Sequence, residues 1–176
     1  DNPATFNLRA RTLLAKKDLA GARTNFEKAL SLNPSFFPAA ASLAALDLSD
    51  KKPEDARKRF DAVLAADPKN IQATLALAEL RANNGGTPDE IAGLINKAVT
   101  ANPTELPPRL ALIQYWLQQK DNKKAMAAAN DAVAAFPDKP EVLDALGRVQ
   151  QVSGDLNQAL STYGKLASLQ PLSPLA

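Results

Sequence analysis

The chain has 176 residues and a formal net charge of +2, from 21 lysines and arginines against 19 aspartates and glutamates. These charges are scattered along the sequence, so no basic stripe predicts binding to nucleic acid or to an anionic membrane. Cysteine and histidine are both absent, which excludes disulfides, cysteine nucleophiles, histidine bases and nearly every transition-metal site. No cofactor is therefore expected. No apolar run reaches the roughly 18 residues that a membrane span requires, so this segment is not expected to insert into a membrane.

Proline closes an apolar-periodic segment five times, at intervals of 34, 35, 34 and 34 residues. The closing residues are Pro34, Pro68, Pro103, Pro137 and Pro171. Within each interval, apolar residues recur at helical spacing in two stretches that a turn separates. The pattern predicts five repeats of two helices each, over residues 4–34, 35–68, 69–103, 104–137 and 138–171.

In the first repeat, Ala10 belongs to the apolar face of the first helix, and Asp18 is placed to cap the second. The apolar stripe of that second helix runs from Leu19 through Ala22 to Phe26. Alanine at positions 10 and 22 lets the two helices approach closely. Phe26 is therefore predicted to fill the space between them.

The second and third repeats carry clear helix-start signals. Pro53 is expected at the first helical position of its helix, with Leu48 on the apolar stripe of the preceding one. Thr87 and Glu90 have the spacing of a capping box. The segment Asn83–Gly86 contains a one-residue insertion that explains the 35-residue interval. Its two glycines resemble a phosphate loop, but no Lys-Ser/Thr follows them, so a structural turn is the better interpretation.

The fourth repeat contains Trp116, the one tryptophan of the sequence, in its first helix. The fifth repeat places Gly147 and Val152 in its first helix and Tyr163 in its second. The last segment, Pro171–Ala176, is similar to the opening of a sixth repeat. Because the sequence also opens without methionine, we expect a segment excised from a longer array.

Repeats of this size, with these turn and proline positions, resemble tetratricopeptide repeats (TPRs) over residues 4–171. The resemblance implies an all-α fold, namely an α-solenoid of five TPR helix pairs forming a right-handed superhelix. Residues 1–176 are then a single TPR array. The resemblance also implies that the first helices of successive repeats line a concave groove, while the second helices form the outer surface. It further implies that Trp116 packs inside its helix pair, where this repeat type places a large aromatic residue, rather than stacking on a ligand.

Several longer phrases are similar to one branch of this superfamily. They are Asn33–Ala41, Pro108–Ile113, Leu143–Gly147 and Gly154–Leu160. They resemble the large TPR lipoproteins that accompany PEP-CTERM/exosortase sorting systems in Gram-negative bacteria producing exopolysaccharide. This resemblance implies a long array in the periplasm or at the outer membrane, anchored through a lipidated cysteine upstream of this segment. It also implies a role beside protein sorting and polysaccharide export.

Projecting the helical period onto the first helices predicts which side chains face the groove. The set consists of Asn7, Arg11, Ser42, Ala45, Leu75, Glu79, Leu110, Gln114, Gln118, Asp144, Arg148 and Gln151. Its ends are charged, and its middle mixes leucines with carboxamides. Such a surface suits an extended or helical peptide, because carboxamides satisfy backbone groups while leucines bury side chains. The alternative for any single residue is an ordinary solvated helix face.

One known TPR mode of binding is not expected here. TPRs that grip a C-terminal carboxylate place Lys and Asn at matching groove positions in consecutive repeats. Those positions hold Asn7 with Arg11, Ala41 with Ala45, and Leu75 with Glu79. A glutamate therefore stands where cations would have to converge.

The predicted function is a non-catalytic scaffold that binds a protein or peptide in its groove. An alternative is a groove that guides an exported polysaccharide, although sugar sites favour exposed aromatic platforms and the predicted set has none. Tyr115 is the residue whose exposure would favour that alternative. A third possibility is catalysis by carboxylates such as Glu79 and Asp144. These lie on different repeats without a nucleophile or base partner, so we expect no enzyme.

Overall fold

The computed structural model describes residues 2–169, which form ten α-helices and no strand. The helices are α1 (Pro3–Ala15), α2 (Leu19–Leu32), α3 (Phe37–Ser49), α4 (Pro53–Ala66), α5 (Ile71–Asn83), α6 (Pro88–Ala101), α7 (Pro107–Gln118), α8 (Asn122–Ala135), α9 (Pro140–Val152) and α10 (Leu156–Leu169). Two helices fall in each predicted repeat, which confirms the all-α, five-repeat fold. The closing Pro171 and the predicted opening of a sixth repeat, Pro171–Ala176, lie outside the described residues.

The chain divides into two compact units, Asp1–Gly86 and Thr87–Ala176. In unit 1, each helix from α1 to α4 contacts the next along the chain. In unit 2, each helix from α6 to α9 likewise contacts its successor, and α7 also contacts α9. Odd-numbered helices are the first helices of their repeats, and even-numbered helices are the second.

The predicted helix starts are present. Asp18 caps α2, and its Oδ1 accepts a 2.8 Å hydrogen bond from the Gly21 N–H. Pro53 is the first residue of α4. At α6, the Glu90 N–H donates to Thr87 Oγ1 over 3.3 Å, and the Thr87 N–H donates to Glu90 Oε2 over 2.8 Å. These bonds complete the capping box and satisfy amides that a helix start leaves unpaired.

Every first helix is followed by a residue with left-handed backbone. These residues are Lys17, Lys51, Gly85, Lys120 and Gly154, with φ between +57° and +85°. After four of them, one residue separates the left-handed residue from the start of the next helix. After Gly85 there are two such residues, Gly86 and the cap Thr87. The predicted insertion is therefore confirmed, and Gly86 is the additional residue.

The core of unit 1 follows the predicted interplay of small and large side chains. Phe26 is fully buried, and it clusters with the fully buried Ala10 of α1 and Leu43 of α3. The corresponding Phe60 of α4 is also buried, with its ring stacked on that of Phe37 at a centroid distance of 6.0 Å. Each phenylalanine thus belongs to a cluster that joins neighbouring helices, so these rings connect the helices of unit 1.

Three residues that the sequence assigns to apolar stripes are exposed instead. Leu19, Leu48 and Val152 expose 52%, 42% and 56% of their surface. All three lie within one residue of a helix end at the turn between paired helices. Because the helix ends at these positions, no further turn of the same helix lies beside these side chains to cover them.

In unit 2, α9 and α10 pack closely at Gly147. A Cβ atom on this glycine would lie 2.6 Å from Cζ of the half-buried Tyr163 ring. Such a distance is well inside van der Waals contact, so even one methyl group would displace the ring. Gly164 on α10 differs, because a Cβ there would meet no heavy atom within 4 Å.

We expect Gly147→Ala to destabilise the protein by roughly 1–2 kcal/mol, because overpacking outweighs the gain in helix propensity. The matched control, Gly164→Ala, should stabilise it by about 0.5–1 kcal/mol through the helix effect alone. Urea denaturation followed by fluorescence of Trp116, the one tryptophan in the sequence, measures both. Equal stabilisation by the two substitutions would contradict the close packing at Gly147.

Candidate functional site: a groove between two first helices

The described surface of unit 2 contains a groove between α7 and α9, the first helices of the fourth and fifth repeats. Its inner pocket has a volume of about 220 Å³. Four residues of each helix line it: Leu110, Ile113, Gln114 and Leu117 from α7, and Glu141, Asp144, Ala145 and Arg148 from α9. Pockets for whole small molecules usually measure about 300–1,000 Å³. This pocket is smaller and better matched to one side chain of a partner.

A second, wider pocket of about 610 Å³ continues the groove toward the helix ends. It shares Gln114, Leu117 and Arg148 with the inner pocket, so the two are contiguous. Its remaining lining residues are Lys120, Asn122, Gln151 and Val152. We refer to both pockets together as the α7–α9 groove.

Helical periodicity explains why these side chains face the groove. Leu110, Gln114 and Leu117 follow one another at intervals of four and three residues, which keeps them on one face of α7. The other face carries the buried Tyr115 and Trp116. Helix α9 is amphipathic in the same way, because its opposite face is buried in the core of unit 2.

The groove carries charge of both signs. Arg148 Nη2 lies 2.6 Å from Asp144 Oδ2 in an ion pair one helical turn apart. Both members of this ion pair also affect the pKa of Tyr163 on α10. Burial raises the pKa of Tyr163, Asp144 raises it further, and Arg148 lowers it. Glu141 and Lys120 are exposed at different places along the groove.

The structure brings together five residues of the predicted groove set. Leu110, Gln114, Asp144, Arg148 and Gln151 all line the α7–α9 groove. Gln118, another member of the set, is exposed at the last residue of α7, outside both linings. Their proximity follows from the shared face of two adjacent helices. That they bind a partner remains a prediction.

The other members of the predicted set lie in unit 1. Arg11, Ala45 and Glu79 are exposed, and Asn7, Ser42 and Leu75 are half-buried. The Ser42 hydroxyl donates a 2.9 Å hydrogen bond to the Pro38 carbonyl of its own helix. These side chains occupy α1, α3 and α5 as predicted, and their joint role as a groove also remains a prediction.

The two adjacent aromatic residues of α7 do not form an exposed platform. Tyr115 and Trp116 expose only 9% and 8% of their surface. The Tyr115 hydroxyl donates to the Pro88 carbonyl over 3.3 Å. Lys124 Nζ lies 4.3 Å from the centroid of the Trp116 ring. The buried position predicted for Trp116 is confirmed, and Tyr115 lacks the exposure that a sugar-stacking role requires.

Sequence reasoning missed several residues that line the groove, among them Lys120 in the turn after α7 and Asn122, the first residue of α8. Lys120 and Asn122 were not predicted to line it, because a projection onto the first helices stops where the helix stops. The signal that points to them is the recurring left-handed turn, in which Lys120 has a φ of +57°. This turn carries the chain from α7 to α8 at the wide end of the groove.

Sequence reasoning also missed a buried ionic network in unit 1. Asp47 of α3 is 4% exposed, and its carboxylate lies 2.6 Å from Arg23 Nη1 and 3.1 Å from Arg59 Nε. Arg23 also pairs with Asp50 at 2.8 Å, and Arg59 with Glu27 at 2.6 Å. Burial opposes ionisation of Asp47, but the hydrogen bonds from the two arginines outweigh it and hold its pKa below the ordinary value. The network ties α2, α3 and α4 together.

Within residues 2–169, no three His, Cys, Asp or Glu side chains group so that they could hold a metal ion. The ten helices described there include none with the length and apolar character to cross a membrane.

The ten helices and their contacts define an α-helical repeat protein made of antiparallel helix pairs. Residues 13–80 match the tetratricopeptide repeat family model, and the chain has the TPR fold. Cellulose synthase operon protein C of Pseudomonas fluorescens (strain SBW25) is 29% identical over 163 residues. The matched region is 88% of this chain but only 13% of that relative, so the chain spans a small part of its length.

Solved structures share the same fold. MamA superposes with a TM-score of 0.62 at 15% identity, covering 96% of this chain and 92% of MamA. TTC0263, a thermophilic TPR protein of Thermus thermophilus, gives 0.58 at 23% identity, covering 97% and 93%. YrrB, a TPR protein with an unusual peptide-binding site, gives 0.56 at 17% identity, covering 95% and 86%.

Proposed function

We propose that this chain is a non-catalytic protein-interaction scaffold whose α7–α9 groove receives a segment of a partner polypeptide. The observation that carries the proposal is the groove itself, in which an apolar wall of Leu110, Ile113 and Leu117 adjoins the exposed amide of Gln114. Apolar pockets take alternate side chains of an extended segment, and carboxamides pair with its backbone groups. Leu75 in unit 1 is proposed to contribute in the same way.

We further propose that this scaffold serves exopolysaccharide production in the envelope of a Gram-negative bacterium, in the periplasm or at the outer membrane. Two independent similarities support this. One is the relative from a cellulose synthase operon, since cellulose is an exopolysaccharide. The other is the likeness of several sequence phrases to lipoproteins of PEP-CTERM/exosortase systems, which also extends the proposal to a role in protein sorting and to a lipid anchor on the full protein.

A capture experiment with a matched pair of variants tests the scaffold proposal. Gln114→Arg places a larger, charged side chain in both pockets without touching the core, because Gln114 is exposed. Gln158→Arg is the control, because it makes the same change at an exposed residue of α10 outside the groove. Wild type and Gln158→Arg should retain the same polypeptide from an envelope extract. Gln114→Arg should recover roughly tenfold less of that polypeptide, which is the scale of one disrupted central contact.

Thermal melting of the three proteins is measured in parallel, and equal midpoints show that any loss of capture comes from the groove. Equal recovery of every polypeptide by both variants would remove the α7–α9 groove as the binding surface. Recovery of polysaccharide in place of polypeptide would support the glycan-guiding alternative, despite the burial of Tyr115.

A further inference from the structure

The two ends of the α7–α9 groove differ in charge. The inner pocket is lined by the carboxylates of Glu141 and Asp144 beside Arg148. The wider pocket is lined by Lys120 and Arg148, and no described carboxylate lines it. The groove is therefore acidic where α9 begins and basic where α7 and α9 end.

The charges at the two ends are held apart by rigid elements. Glu141 lies in the first turn of α9. Lys120 lies in the left-handed turn after α7, where its N–H donates to the Leu117 carbonyl and the next N–H donates to the Trp116 carbonyl, both over 3.0 Å. The helix and the turn therefore set the backbone positions of Glu141 and Lys120 at opposite ends of the groove.

The length of the groove limits what it accepts. About ten residues of helix separate Glu141 from Gln151, a distance of roughly 15 Å at 1.5 Å per residue. An extended chain advances about 3.3 Å per residue, so roughly five residues of a partner span the groove. Two residues of the apolar wall, Leu110 and Ile113, lie at the acidic end of this length, and the third, Leu117, is common to both pockets.

The charges at both ends are available to a partner. Among the described residues, neither Glu141 nor Lys120 takes part in an ion pair, whereas Asp144 and Arg148 pair with each other. Both free groups are exposed. A ligand with charges in the opposite order would meet like charge at each end, which disfavours it.

We propose that the α7–α9 groove binds an extended polypeptide segment of about five residues in one fixed orientation. The segment carries an apolar anchor between a basic side chain, which faces Glu141 and Asp144, and an acidic side chain, which faces Lys120 and Arg148. This inference rests on the proposed function, because it specifies the partner of the same groove. It adds a charge order that apolar contacts alone do not require.

The test begins with a displayed library of random heptapeptides selected on the full chain. We expect enriched sequences to carry a basic residue, an apolar residue and an acidic residue in a constant order. An enriched peptide should bind about tenfold more tightly than the same peptide with its two charged residues exchanged, as measured by fluorescence anisotropy. Exposed charge pairs each contribute little, so a preference of about this size is the expected scale.

Charge reversal on the protein supplies the second arm. The double variant Lys120→Glu with Glu141→Lys should prefer the exchanged peptide, because it reverses the groove without changing net charge. The control double variant, Lys123→Glu with Asp131→Lys, makes the same change at exposed residues of α8 and should keep the original preference.

The outcomes separate the inference from the function on which it rests. Suppose that selected peptides bind wild type but not Gln114→Arg. If these peptides share no charge order, or if the charge-reversed double variant does not invert their order, the inference is overturned and the scaffold proposal stays intact. Failure to enrich any peptide that distinguishes wild type from Gln114→Arg overturns the proposed peptide groove together with the inference.

Discussion

Replacing Phe26 by alanine is expected to lower the free energy of unfolding by roughly 3–5 kcal/mol, the usual cost of removing a buried phenylalanine ring. The loss should lie in the upper part of that range. Phe26 is fully buried, and its cluster includes Ala10, Ala22 and Ala39, whose short side chains leave little to fill the cavity. Phe60→Ala should behave similarly, with the added loss of the contact to the Phe37 ring.

Urea denaturation followed by circular dichroism measures this loss. Leu8→Ala is the control, since Leu8 lies on α1 and exposes 64% of its surface. It should change the free energy of unfolding by less than about 0.5 kcal/mol, as surface substitutions usually do. A Phe26→Ala variant with the midpoint of wild type would show that the ring does not connect the helices of unit 1 as described.

The second large effect concerns the buried ionic network. Asp47→Ala should cost roughly 2–4 kcal/mol, because it leaves the guanidinium groups of Arg23 and Arg59 facing a site without its carboxylate. The remaining pairs with Asp50 and Glu27 keep the cost below that of stranding a fully buried charge. The control is Asp61→Ala, which removes an exposed pair with Arg57 and should cost under about 0.5 kcal/mol.

The same network predicts how stability depends on pH. The folded pKa of Asp47 lies below its ordinary value, so between the folded and unfolded pKa values the folded state binds fewer protons. The carboxylate therefore contributes its full stabilisation above the unfolded pKa of about 3.9 and loses it as the pH falls through the folded pKa. The difference in stability between wild type and Asp47→Asn should be constant from about pH 6 to 8 and shrink below about pH 4. A constant difference across both ranges would contradict the account.

Much of the fold could be predicted because TPR packing is local. The proline period fixes where repeats end, and short-range signals such as Asp18, Pro53 and Thr87 fix where helices begin. Small residues on one helix then face large residues on the neighbouring helix, at positions that the helical period determines. For this reason the burial of Phe26 could be anticipated from spacing, and that of Trp116 from its position in the repeat type that the sequence resembles.

What the sequence does not reveal depends on contacts between residues distant along the chain. Asp47 resembles any polar residue near a helix end, and its burial becomes evident only when α2 and α4 bring Arg23 and Arg59 to it. Leu19 fits an apolar stripe by period but lies at a helix end, where 52% of its surface is exposed. Lys120 was not predicted to line the groove, because its position depends on the turn rather than on the helical period.

Photo-crosslinking tests most directly the central claim that the α7–α9 groove is the surface that holds the partner. A photoreactive benzoylphenylalanine is introduced singly at Gln114 or Gln151 in the groove, or at Asn130 or Gln158 on the second helices α8 and α10; all four residues are exposed. With a peptide selected on the wild type, crosslinks should form from positions 114 and 151 and be absent from positions 130 and 158. Crosslinks confined to positions 130 and 158 would contradict the account and move the binding surface to the second helices.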